Sequence, residues 1–129
     1  DNLLKTLWTG DRFVTRHAIT GEVNEQARSV IPCTPIVLGK RLPREMREIL
    51  ADRIRENLTE WGPATESPES PLYEPDGYWR GPIWAPPTMI LVDGLRNAGE
   101  TEFSNTIAER FCRLCATRLR SDSPFCRWM

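Results

Sequence analysis

The stretch Asp76–Trp84, DGYWRGPIW, decides how this chain is read. From Tyr78 to Trp84 it holds two Trp, a Tyr and an Arg, with Gly77, Gly81 and Pro82 set around them. Glycine reaches backbone conformations closed to other residues, and proline fixes φ and removes a donor. Such a segment does not suit a regular helix. It predicts a rigid loop that presents flat aromatic faces and one planar guanidinium. Sugars fit that surface, because their C–H faces lie on aromatic rings and their hydroxyls accept from Arg. On the local pattern alone, a Trp-rich turn packed into the core explains the same residues equally well.

Outward from the loop, residues 64–87 read as one long irregular segment, punctuated by Pro68, Pro71, Pro75, Pro82, Pro86 and Pro87. Loops of this length are usually functional or disordered. Thr65–Ser70 reads as flexible, whereas Leu72–Trp84 is too aromatic for disorder.

Downstream, residues 86–98 predict a helix entered through Pro86-Pro87 and ended by Asn97-Ala98-Gly99. Met89, Ile90, Leu91, Val92 and Leu95 make it apolar nearly all round, the mark of a buried helix. Residues 101–119 predict another, with Thr101 as N-cap and a stripe of Phe103, Ile107, Phe111, Leu114, Cys115 and Leu119.

Upstream, residues 43–61 give the clearest helix. Pro43 suits its first position, and Met46, Ile49, Leu50, Ile54, Leu58 and Trp61 form one apolar stripe. Residues 22–39 read as an interrupted helix with apolar Ala27, Val30, Ile31, Ile36, Val37 and Leu38. Pro32 and Pro35 break it, and Gly39 caps it. Residues 1–20 open on the end of a helix (Leu3, Leu4, Leu7, Trp8), with Phe13 and Val14 briefly extended and a turn at Thr20-Gly21. The pattern predicts an all-α fold of about two helical hairpins, alternately buried and amphipathic. Toroids and solenoids are built that way. No β-strand ladder is expected.

With 129 residues, 40% hydrophobic and 27% charged, the chain supports a single domain with a real core. A net charge of −1 supplies no field for nucleic acid or an anionic membrane. Five Arg between Glu109 and Met129 read as a solvated helix face. No apolar run approaches the roughly 18 residues of a membrane span. The opening Asp-Asn-Leu-Leu-Lys has neither a secretory pattern nor an initiator Met, and reads as starting partway along a longer chain.

Cys112 and Cys115 form a C-x-x-C, with Cys33 and Cys126 elsewhere. A structural zinc needs four ligands, and His17 is the single His. The pair also falls within a helical pattern, not at the helix start typical of redox motifs. Buried or half-buried free thiols are the preferred reading, ahead of metal and of disulfides, and reduced thiols suit a cytoplasmic protein. No metal and no cofactor are expected. His17, with no visible partner, reads as a loop residue.

The run YWRGPIWAPPTMILVDGLRNAGE resembles the signature region of glycoside hydrolase family 63 and its relatives, among them mannosylglycerate-hydrolase-like enzymes and, more distantly, trehalases. GKRLPREMREIL and TEWGPATESPESPLYEPDGYWRGPIW are similar to the same family's approach to that signature, as, less specifically, is DRFVTRHAITGE. The resemblance covers residues 1–117; the tail 118–129 is atypical. It implies part of an (α/α)6 toroid, in which inner helices surround a sugar-binding pit lined by the YWRGPIW loop. Carried over, Trp79 and Trp84 are aromatic walls, Tyr78 and Arg80 supply polar contacts or hold the loop, and Gly81-Pro82 shape its turn. The bland alternative for Arg80 is a pairing with a carboxylate under the loop.

The same resemblance implies inverting hydrolysis by two carboxylates about 6.5–9.5 Å apart. Its acid is an Asp that would precede residue 1. Its base is a Glu in an F-x-E-N-like segment after the helix equivalent to 101–117. Residues 117–129 contain no Glu, and the neighbours of Asp122 do not match. Glu74 and Asp76 read as solvated or turn-forming. No catalytic residue is therefore assigned. The expectation is a segment of a glycosidase acting on α-linked gluco- or manno-configured sugars, with a carbohydrate ligand. The alternative is a non-catalytic helical module that self-associates through exposed apolar helix faces.

Overall fold

The computed structural model describes residues 2–23 and 28–120. Ala27, Asp122 and Cys126, which figure in the expectations above, lie outside that set. The order is α1 (Asn2–Leu7), a 3₁₀ segment (Ile31–Arg41), α2 (Arg44–Glu56), β1 (Leu58–Thr59), β2 (Gly62–Pro63), α3 (Ala85–Ala98) and α4 (Thr101–Arg120).

Helices dominate, but the described residues are not purely helical. β1 and β2 pair antiparallel, Leu58 opposite Pro63 and Thr59 opposite Gly62. Isolated pairings join Trp8 to Phe13, Arg16 to Val23 and Ser29 to Glu66. This ribbon corrects the expectation of a helix running to Trp61. Buried Asn57 ends α2, its side-chain amide donating to the carbonyls of Arg28 (3.0 Å) and Ala64 (3.1 Å). The chain then reverses instead of continuing the apolar stripe.

Of the helix expected over 22–39, the described residues are helical from Ile31, in a segment wound as 3₁₀ to Arg41. Proline explains this: Pro32 sits in the first turn, and Pro35 inside the segment has no N–H to donate back. Gly39, expected as a cap, is a kink (φ 52°, ψ −129°), and the Leu42 N–H donates to its carbonyl at 3.0 Å.

This segment packs against α3, and α3 against α4. Ile36, Leu50, Ile54, Leu91, Leu95 and Ile107 form the fully buried centre. Burying each such side chain contributes roughly 1.5–3 kcal/mol. The apolar pattern of α3 predicts burial all round, yet Met89 (63% exposed) and Ile90 (41%) stand in solvent. Leu91, Gly94, Leu95 and Ala98 face the core, where the 3₁₀ segment and α4 pack against α3. A two-residue connection reverses the chain into α4, with the Glu100 N–H donating to the Leu95 carbonyl at 2.9 Å. The Ser104 N–H donates to Glu100 O, so Thr101, expected as N-cap, is already helical. The Ser104 hydroxyl ties the hairpin together by donating to Val92 O at 2.9 Å.

At the crossing of α3 with the 3₁₀ segment, a Cβ on Gly94 would lie 2.7 Å from Ile36 Cγ2 and 2.8 Å from the Val37 nitrogen. Gly94→Ala should destabilise the fold by about 1–3 kcal/mol in urea melts, because backbone contact outweighs the roughly 1 kcal/mol that Ala gains in helix propensity. Unchanged or higher stability would contradict so close a crossing.

Cys33 is buried in the same core, and burial pushes its thiol from the ordinary 9.0 to about 12. Above pH 9 the unfolded chain loses this proton while the folded chain keeps it. The stabilisation is thus complete below about pH 9 and is lost as pH rises toward 12, by up to about 1.4 kcal/mol per unit. Chemical denaturation across about pH 8–11 should show a shallower alkaline decline in Cys33→Ala than in the parent chain. Equal slopes would place the thiol in water.

Candidate functional site

Residues 64–84 build the site in two layers. The lower layer is Thr65–Ser70, whose composition reads as flexible. It is instead largely buried, with Thr65, Glu66 and Ser67 almost inaccessible. The reason is a set of polar pairings the composition does not reveal. The Val30 N–H donates to Thr65 O (3.0 Å), and the Ser67 N–H to Arg28 O (3.1 Å). The Glu66 carboxylate accepts from the Arg28 N–H (2.6 Å) and from the Ser70 hydroxyl. The Ser67 hydroxyl donates to Glu56 O at 2.9 Å, fastening the segment to the end of α2. Buried polar groups persist only when satisfied in this way.

The upper layer is the aromatic loop. Its backbone turns on itself: the Glu74 N–H donates to Arg80 O (2.7 Å), Gly77 N–H to Glu74 O (2.9 Å) and Arg80 N–H to Gly77 O (2.7 Å). The Arg80 guanidinium donates to the Glu74 carboxylate at 2.8 Å, the kind of carboxylate pairing named above as its bland alternative. Both partners are about half exposed, so the pair contributes at most about 1 kcal/mol.

Gly81 is buried where the loop crosses itself. A Cβ there would lie 2.0 Å from Glu74 O. The position has no room for any other residue.

The structure brings Tyr78, Trp79 and Trp84 together. The two indoles stack, with centroids 5.8 Å apart and planes 21° from parallel. The Tyr78 ring meets Trp84 edge-on at 5.0 Å and Trp79 at 6.1 Å. The Trp84 indole N–H donates to Tyr78 O at 2.8 Å. Tyr78 (69%) and Trp79 (42%) remain exposed. Packing of this kind presents an aromatic platform to solvent; the rings are not sunk in the core.

A cavity of about 750 Å³ among the described residues takes no residue from this loop. Arg12, Arg28, Arg53, Arg55, Glu56 and Glu69 are among its lining residues. Its cations include engaged ones: Arg53 pairs with Asp11, and Arg55 with Asp52 and Glu100 while covering the Phe103 ring.

Among the other candidates, His17 is exposed, and its Nδ1 accepts from the Thr20 N–H at 3.2 Å. All three described cysteines are free thiols: Cys33 is buried and Cys115 half-buried as expected, whereas Cys112 is exposed on α4, against the expectation of burial. No group of three or more metal-ligating side chains occurs among the described residues. No helix among them is long and apolar enough to cross a membrane.

The model of the "Mannosylglycerate hydrolase MGH1-like glycoside hydrolase domain" family matches residues 1–124, and the chain belongs to that family. A search of curated proteins gives no significant match. Two solved structures from Thermus thermophilus share the fold. One, a GH63 mannosylglycerate hydrolase in complex with glucose, superposes with a TM-score of 0.73 at 20% identity, over 83% of this chain and 26% of that one. The other, an uncharacterized conserved protein, gives 0.71 at 20% identity, over 81% and 26%. The chain thus spans about a quarter of the length of these structures.

The tight crossing at Gly81 yields a test. Gly81→Ala should open the loop and abolish the contribution of the Trp79–Trp84 pair to circular dichroism, with helix content retained. A variant spectrum identical to the parent's would contradict the 2.0 Å approach.

Proposed function

We propose that this chain supplies the sugar-site loop of a toroidal glycoside hydrolase acting on α-linked gluco- or manno-configured sugars. One observation carries the proposal. The loop Asp76–Trp84 holds Trp79 and Trp84 stacked, with Tyr78 edge-on, and Trp79 and Tyr78 remain exposed. A flat aromatic face binds the C–H side of a pyranose, and a hydroxyl-bearing ring beside it can pair with the sugar's own hydroxyls. The glucose held by the GH63 structural relative accords with such a ligand. The inward faces of the helices would line the pit of an (α/α)6 toroid, the remainder being supplied by other parts of a longer enzyme.

Inverting hydrolysis needs a general acid and a general base on opposite sides of the glycosidic bond. Glu74 is committed to Arg80, and no such pair is assigned within this chain. The chain's contribution is therefore binding and orientation. The thiol usage is in keeping with a cytoplasmic setting.

A second reading rests on Val37, Leu38, Met89 and Ile90, all exposed. In it the chain is a non-catalytic module that associates through these faces. Sedimentation separates the two. A dimer whose assembly weakens in Met89→Lys, together with indifference to sugar, favours association.

Sugar binding at the loop predicts that Trp79→Ala weakens affinity for a gluco- or manno-oligosaccharide by about 1–3 kcal/mol, the scale of a lost aromatic contact. Calorimetry that finds the same affinity in a folded variant would refute the assignment.

A further inference from the structure

Thr65 is 16 residues from Gly81 along the chain, yet its hydroxyl sits between the two peptide groups at the base of the aromatic loop. Its Oγ1 accepts from the Gly81 N–H at 3.1 Å and donates to the Pro82 carbonyl at 3.0 Å. Both Thr65 and Gly81 are buried, so water does not readily replace either bond. Thr65's own carbonyl accepts from the Val30 N–H, which fixes the residue to the start of the 3₁₀ segment. One hydroxyl thus ties the loop to the core, at the two residues that separate Tyr78–Arg80 from Ile83-Trp84.

We infer that Thr65 is a positioning residue for the aromatic platform, setting the mutual orientation of Trp79 and Trp84 through Gly81 and Pro82. The chemistry requires a group that both donates and accepts within one small side chain. Ser and Thr satisfy it, whereas Val, of the same shape as Thr, satisfies neither bond. Trp84 is held on its far side as well: its carbonyl accepts from the Thr88 hydroxyl at 2.7 Å and the Thr88 N–H at 3.2 Å. With α3 fixing Trp84 and Thr65 fixing the turn before it, the ring pair has little freedom to re-orient. The consequence for ligand binding rests on the proposed sugar site; the effect on the rings does not.

The test compares Thr65→Val and Thr65→Ser in the full chain. Three readouts are used: the Trp79–Trp84 exciton couplet in circular dichroism, amide exchange at Gly81, and affinity for maltose. Thr65→Val should lose the couplet, exchange Gly81 about tenfold faster and bind the sugar about tenfold more weakly, with Thr65→Ser restoring all three. A folded Thr65→Val that keeps the couplet and the protection of Gly81 overturns the inference. If Thr65→Val does not fold, the decision passes to the other two proteins. A parent Gly81 amide exchanging at the rate of an open peptide, or a folded Thr65→Ser without the couplet, overturns it. If no protein binds sugar but the couplet and the exchange behave as stated, the sugar site fails while the positioning role stands.

Discussion

The close crossing of α3 with the Ile31–Arg41 segment is the contact on which the rest depends. With no Cβ on Gly94, the helix backbone comes within contact distance of Ile36 and Val37. Ile36, Leu91 and Leu95 are fully buried in this region. The crossing fixes the axis of α3, and α3 begins directly after Trp84, whose carbonyl is held by Thr88. The orientation of the indole is therefore traceable through one helix to a tight contact in the core. Interiors packed at crystal-like density transmit position in this way.

The loop itself is made stiff by backbone hydrogen bonds, with little help from ionic attraction. Glu74, Gly77 and Arg80 exchange three main-chain bonds, while the Glu74–Arg80 ion pair is half exposed and screened. Beneath it, the polar side chains of Thr65, Glu66 and Ser67 fasten the approach to the aromatic residues onto the core. A stiff aromatic surface loses little entropy when a ligand settles on it, which favours binding by a site of few groups.

The helices are legible in the sequence wherever one apolar stripe meets one partner. The stripes of α2 and α4 identify their buried residues, Leu50, Ile54, Phe103 and Ile107 among them. Legibility falls where tertiary pairing overrides local pattern. Leu58 and Trp61 continue the α2 stripe by spacing, but Asn57 commits its side-chain amide to Arg28 and Ala64 and turns the chain into a ribbon. Met89 and Ile90 are as apolar as Leu91, so composition alone assigns all three to the core. The aromatic residues of the site stand out because Trp and Tyr are rare and clustered. Thr65, Glu66 and Ser67 do not, because a run of small polar residues and prolines looks the same whether solvated or buried with every group paired.

A structure of this chain soaked with glucose would test the central claim most directly. A pyranose is predicted to lie with its C–H face on the exposed side of the Trp79–Trp84 stack, within reach of the Tyr78 hydroxyl. Sugar bound instead in the cavity lined by Arg12, Arg28 and Arg53, with the aromatic loop bare, would contradict it.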